Sequence, residues 1–149
     1  MIARLARLWR ANGGAAAVEF AIVVGPLMIL MFGVFEFGRL LWTREALQET
    51  AASGARCMAM TSTSCASAGA YSSSATQSYM IGVAGNWGVT LTNGDLTLNN
   101  NTTCAGITAT KGFSTVTINY TFQSVVPKEI TALNGGKALS ATACFPNNS

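Results

Sequence analysis

Residues 20–35 are sixteen consecutive uncharged, mostly apolar positions, and from Ala11 to Gly38 only Glu19 and Glu36 carry charge. As a helix, this run is long enough to cross ~30 Å of hydrocarbon. Beyond it the pattern turns amphipathic. Phe37, Leu40, Leu47, Ala51, Gly54 and Met58 recur every three to four residues, interrupted at Arg44, while Glu45 and Glu49 stand one turn apart on another face. These patterns predict a span over residues 15–38 and an amphipathic extension over 39–60. Continuous helix from about Ala15 to Arg56 would be on the order of 60 Å long. Pro26 cannot donate to the Ile22 carbonyl and its ring crowds that turn, so a kink or a locally melted stretch is expected at Gly25-Pro26.

The remainder, residues 61–149, reads as one small domain. Residues 61–74 are small and polar, a linker or loop. Tyr79, Met80, Val83, Ala84 and Trp87 share one face of a second helix from about Ala75 to Trp87, a stripe read as core. The period then changes to two. Val89 and Leu91 alternate with Thr90 and Thr92, and Asn93-Gly94-Asp95 offers turn chemistry before Leu96-Thr97-Leu98. The clearest strand is Thr115–Phe122, with Val116, Ile118, Tyr120 and Phe122 on one side and Thr115, Thr117, Asn119 and Thr121 on the other. Val125-Val126-Pro127 ends it, and Asn134-Gly135-Gly136 turns the chain into a last strand, Ala138–Phe145. One buried and one wet face describe an antiparallel sheet packed on a helix, so the fold class is α+β.

Composition supports an anchor. Of 149 residues, 50% are hydrophobic and 10% charged, well below the ~25% charged of soluble domains. The net charge of +3 resides in the leader, whose Arg4, Arg7 and Arg10 precede a stretch, residues 15–149, balanced at six bases and six acids. No basic patch remains for nucleic acid. Arginines before the apolar run and a balanced flank after it place the N-terminus in the cytoplasm and the bulk of the chain outside. A cleaved signal peptide would have a shorter apolar core and a small-residue cleavage pattern, neither of which is present.

Histidine is absent, which removes the commonest general base, metal ligand and partner of a nucleophile. An extracytoplasmic enzyme would also need acids, and the segment beyond residue 60 holds only Asp95 and Glu129. No enzyme activity, cofactor or metal is expected. Cys57, Cys65, Cys104 and Cys144 form no CxxC pair. In an oxidising compartment they suggest two disulfides. Of three possible pairings, Cys57–Cys65 with Cys104–Cys144 is preferred, the first closing a short loop and the second tying two parts of the C-terminal region together.

Glu19 is the residue of greatest interest. A carboxylate costs roughly 2.5–3.5 kcal/mol at the centre of a membrane helix, and less near its end. It follows the basic leader and the Gly13-Gly14 pair. Leader, glycine, Glu five positions later, long apolar helix and a small cysteine-bearing head together resemble the type IV pilin superfamily. Within it, Gly14-Ala15-Ala16-Ala17-Val18-Glu19-Phe20-Ala21 is similar to the TadE-like minor pseudopilins of the tight-adherence (Tad/Flp) pilus system. Residues 32–39, Phe-Gly-Val-Phe-Glu-Phe-Gly-Arg, resemble that family's membrane-exit segment, and Thr117–Phe122 with Leu139–Cys144 its closing strands. The likeness is specific between Gly14 and Arg39. Two departures are visible: Asn12-Gly13 precedes the glycine where the family often has arginine, and the first mature residue would be Ala15 rather than phenylalanine.

The resemblance implies that residues 1–14 are a leader, which a prepilin peptidase removes between Gly14 and Ala15. The glycine pair leaves a cut after Gly13 open. Glu19 and Phe20 would serve processing and assembly, with Glu36 and Arg39 as secondary positions, Glu36 pairing with Arg39 or reaching headgroups. The implied role is a minor pilin in assembly or initiation of a pilus used in surface adherence. The implied setting is a single pass of the bacterial inner membrane, with incorporation into a pilus. Implied partners are the peptidase, other Tad minor pseudopilins, the major Flp pilin, the inner-membrane assembly platform and membrane lipid. A pseudopilin of a type II-like secretion system, or a plain single-pass anchored protein, are the alternatives.

Overall fold

A computed structural model describes residues 13–107, 111–124 and 136–147. The leader arginines, Val125-Val126-Pro127, Glu129 and the Asn134-Gly135 turn lie outside these residues. The first element is a helix, α1 (Gly13–Ala59), followed by a minimal hairpin, β1 (Ala66–Ser67) and β2 (Ala70–Tyr71), and a second helix, α2 (Ser73–Asn86). A 3₁₀ turn (Asn93–Asp95) leads into β3 (Leu96–Thr102), β4 (Phe113–Phe122) and β5 (Lys137–Pro146), an antiparallel sheet in the order β3-β4-β5. The chain divides into two compact units between Gly38 and Arg39.

The first unit is the N-terminal part of α1. Its large apolar side chains, among them Phe20, Ile22, Leu30, Phe32 and Val34, are exposed, except for half-buried Val24. The best 18-residue window has a mean hydropathy of 2.3 and no buried residue, so this helix is long and apolar enough to cross a membrane. The expected melted turn is absent: α1 is helical through Pro26.

In the second unit the rest of α1 packs largely by the face its apolar spacing suggests. Thr43, Ala46, Leu47, Thr50, Ala51, Gly54, Ala55 and Met58 are buried, among them the last four members of the expected stripe. Its first two members lie off the buried face: Phe37 is 60% exposed and Leu40 only half-buried. Threonines replace leucine where the helix meets its neighbours, and each Oγ1 returns its proton to the preceding turn, Thr43 to the Arg39 carbonyl and Thr50 to that of Ala46. A hydroxyl satisfied locally can be buried at little cost.

α1 closes in a Schellman motif. Ser62 N–H donates to the Cys57 carbonyl and Thr61 N–H to that of Met58, with Thr61 at φ 43°. The Cys57–Cys65 disulfide then clips this turn. α2 begins on an N-cap, Ser72, whose hydroxyl accepts from Ala75 N–H. It ends in a second Schellman motif, with Gly88 at φ 77° and Val89 N–H on the Ala84 carbonyl. The core joins Leu47, Ala51 and Met58 of α1 and Met80 and Ala84 of α2 to Val116 and Ile118 of β4.

The sheet follows its alternation. Ser114, Val116, Ile118 and Phe122 are buried and Tyr120 half-buried, while Thr117–Thr142 and Asn119–Ser140 pairs bond across β4 and β5 on the other face. Two expectations need correction. Residues 61–74 are not all loop, since Ala68 and Gly69, both at positive φ, turn β1 into β2. Val89 and Leu91 are buried but belong to no strand. Asp95 holds the following segment as a 3₁₀ turn by accepting from Thr92 N–H and Oγ1, each at 2.7 Å, so the chain does not fold back as a two-residue hairpin.

Candidate processing junction and membrane-exit residues

Gly14, Ala15, Glu19 and Phe20 all lie on the first two turns of α1 and all are exposed. Glu19 stands four residues after Ala15, hence on the same helical face one turn on. The space beside Gly14 is open: a Cβ built there meets nothing within 4 Å. Glycine is there for backbone freedom rather than for packing.

The exit residues are in a different state. Glu36 is 2% exposed. Arg39 donates to the Gln123 carbonyl at the end of β4, and its guanidinium lies 4.7 Å from the centroid of the Phe122 ring. The helix is thereby tied to the sheet by a charge-assisted hydrogen bond and a cation–π contact.

Beside this tie is a feature the apolar pattern did not disclose. Trp42 Nε1–H donates to the Trp87 carbonyl at 3.3 Å, and the two rings stand 5.4 Å apart, tilted by 59°. Trp87, expected in the core, is the C-cap of α2 and is 38% exposed. An open recess of about 170 Å³ adjoins the pair.

The cysteines form Cys57–Cys65 and Cys104–Cys144, with Cα separations of 5.9 and 6.1 Å. Among the described residues no group of three or more His, Cys, Asp or Glu side chains could hold a metal ion.

These features define a class: a chain with one N-terminal helix able to span a bilayer, and a small α+β unit closed by disulfides. Residues 14–56 match the family model described as TadE-like protein, so this stretch is similar to that of TadE-like proteins. The match begins at Gly14, contains Glu19 and runs through the exit residues to Arg56. No curated protein and no solved structure matches the chain.

Proposed function

We propose that this chain is a minor pilin, or pseudopilin, of a Tad-type pilus, cut by a prepilin peptidase after Gly14 and assembled through its N-terminal helix. The observation that carries the reading is the family match opening at Gly14, with Glu19 exposed on a helix long and apolar enough to cross a membrane. A surface of that kind is satisfied by lipid before assembly and by other helices after it.

The chemistry follows from the positions. A peptidase requires extended backbone, and Gly13-Gly14 makes the helix start easy to open, each glycine weakening it by roughly 0.5–1 kcal/mol relative to alanine. Cleavage removes three arginines, each worth about 1 kcal/mol near an anionic surface, and leaves an ammonium at Ala15. That ammonium sits at the positive end of a helix dipole in a medium of low dielectric, where an unpaired ion is costly. The Glu19 carboxylate of a neighbouring subunit would neutralise it and set the axial register between them.

N-terminal sequencing of the protein from cells with and without the peptidase tests the processing step; a mature chain beginning at Met1 in both refutes it. Glu19→Gln and Glu19→Ala test the pairing. Cut but unassembled protein is the expected result, and normal assembly of either variant ends the pairing model.

A further inference from the structure

Two indoles on separate elements are brought together at the surface of the folded unit, where a globular core would hide them. Trp42 is 57% exposed and Trp87 38%, and Leu41 beside Trp42 is 45% exposed. The Trp42 N–H is already satisfied by the Trp87 carbonyl, so what the pair presents outward is mainly ring.

The position along the chain gives this surface its meaning. Trp42 is four residues, about 6 Å of helix, beyond Gly38, where the span over residues 15–38 ends. Trp87 shares its level because the rings are 5.4 Å apart. Tryptophan concentrates at that depth, where its amphipathic ring suits the headgroup region.

We propose that the Trp42–Trp87 pair seats the folded unit on the headgroup layer at the C-terminal end of the span, so that the unit rests on the bilayer. The occupant of this surface is lipid, because exposed Leu41 and Trp42 follow the end of the span at Gly38 within one helical turn along the chain. Arg39, in the wall of the adjoining recess, adds positive charge suited to phosphodiester headgroups. Trp87 carries the weight of the idea. Trp42 stands on the helix that carries the span, whereas Trp87 stands on α2 and is placed beside it by the fold of the unit.

The inference rests on the reading of residues 15–38 as a membrane span, and the experiment separates the two. The full chain is reconstituted in phosphatidylethanolamine–phosphatidylglycerol vesicles with lipids brominated near the glycerol or at the chain ends. In Trp9→Phe/Trp42→Phe, Trp87 is the sole tryptophan. Its emission should be blue-shifted and largely lost to the shallow bromines, with little loss to the deep ones. A reporter Met28→Trp, in a background with all three native tryptophans changed to phenylalanine, should be quenched by the deep bromines.

Should Met28→Trp be quenched while Trp87 is untouched by both lipids and emits as in water, the span stands and the seat is refuted. Should Met28→Trp escape the deep bromines, the span itself fails and the seat with it. A blue-shifted Trp87 that bromines do not reach, and that reverts when the protein is diluted in lipid, assigns the surface to a second copy of the chain and equally overturns the proposal.

Discussion

Gly54 lies on the buried face of α1, and a Cβ placed there would come 2.6 Å from Met80 Sδ and 2.9 Å from Met80 Cγ. Ordinary contact begins at 3.4 Å, so Gly54→Ala forces a displacement of roughly 0.8 Å on a side chain with no solvent to yield into, Met80 being fully buried. Overpacking of this kind costs about 1–3 kcal/mol. Against it stands the helical preference for alanine over glycine, roughly 0.5–1 kcal/mol. The packing term wins, and Gly54→Ala should destabilise by about 1–2 kcal/mol. In a Met80→Ala background, itself costing about 2–5 kcal/mol, the obstructing atoms are gone and only the propensity term remains. The same substitution should then stabilise by roughly 0.5–1 kcal/mol. Urea unfolding of the full chain in detergent micelles, followed by near-UV circular dichroism across the four-member cycle, measures the coupling. Equal destabilisation by Gly54→Ala with and without the methionine refutes the argument, since the cost would then not arise at this contact.

The two disulfides should differ in worth. Loop-closure entropy over sequence separations of 40 and 8 corresponds to about 4 and about 2.5 kcal/mol, so Cys104→Ala/Cys144→Ala should lower the unfolding midpoint further than Cys57→Ala/Cys65→Ala in parallel urea titrations. The Ser114 hydroxyl is fully buried, 2.7 Å from Asn147 Oδ1 and 2.9 Å from Asn100 Oδ1. Ser114→Ala should cost about 1–2 kcal/mol and speed amide exchange at the β3–β4 edge; exchange unchanged there would show that the hydroxyl does not hold that edge.

Periodicity was readable wherever it was sustained. β4 alternates over its whole length, and the apolar run of α1 was long enough to be read as a helix able to cross a membrane. Burial without a partner strand reads the same as burial within a ladder, which is why Val89 and Leu91 suggested a strand that does not form. β1 and β2, two residues each, are too short to carry a period, and only Ala68-Gly69 hinted at their turn. The membrane-exit residues were visible as types but not as a constellation. Arg39 finds its acceptor 84 residues away, and Trp42 meets Trp87 45 residues away; local spacing cannot encode such pairings. Glu36 likewise read as an interfacial charge because its burial depends on what folds around it. Gly14, Ala15 and Glu19 were singled out by their order along the chain, and they fall inside the stretch that the family model matches.

Cys104–Cys144 fastens the outermost strand, β5, to the segment just beyond β3. In the filament role proposed above, a subunit held by its N-terminal helix and dragged by its head would bear tension along the backbone. The crosslink withdraws the 40-residue stretch between its cysteines from whatever contour such a load could draw out. At ~3.3–3.6 Å per extended residue, that is about 130–140 Å of slack denied to the pull. A pull on the residues beyond Cys144 is passed to Cys104, so the last strand is not stripped away from its free end.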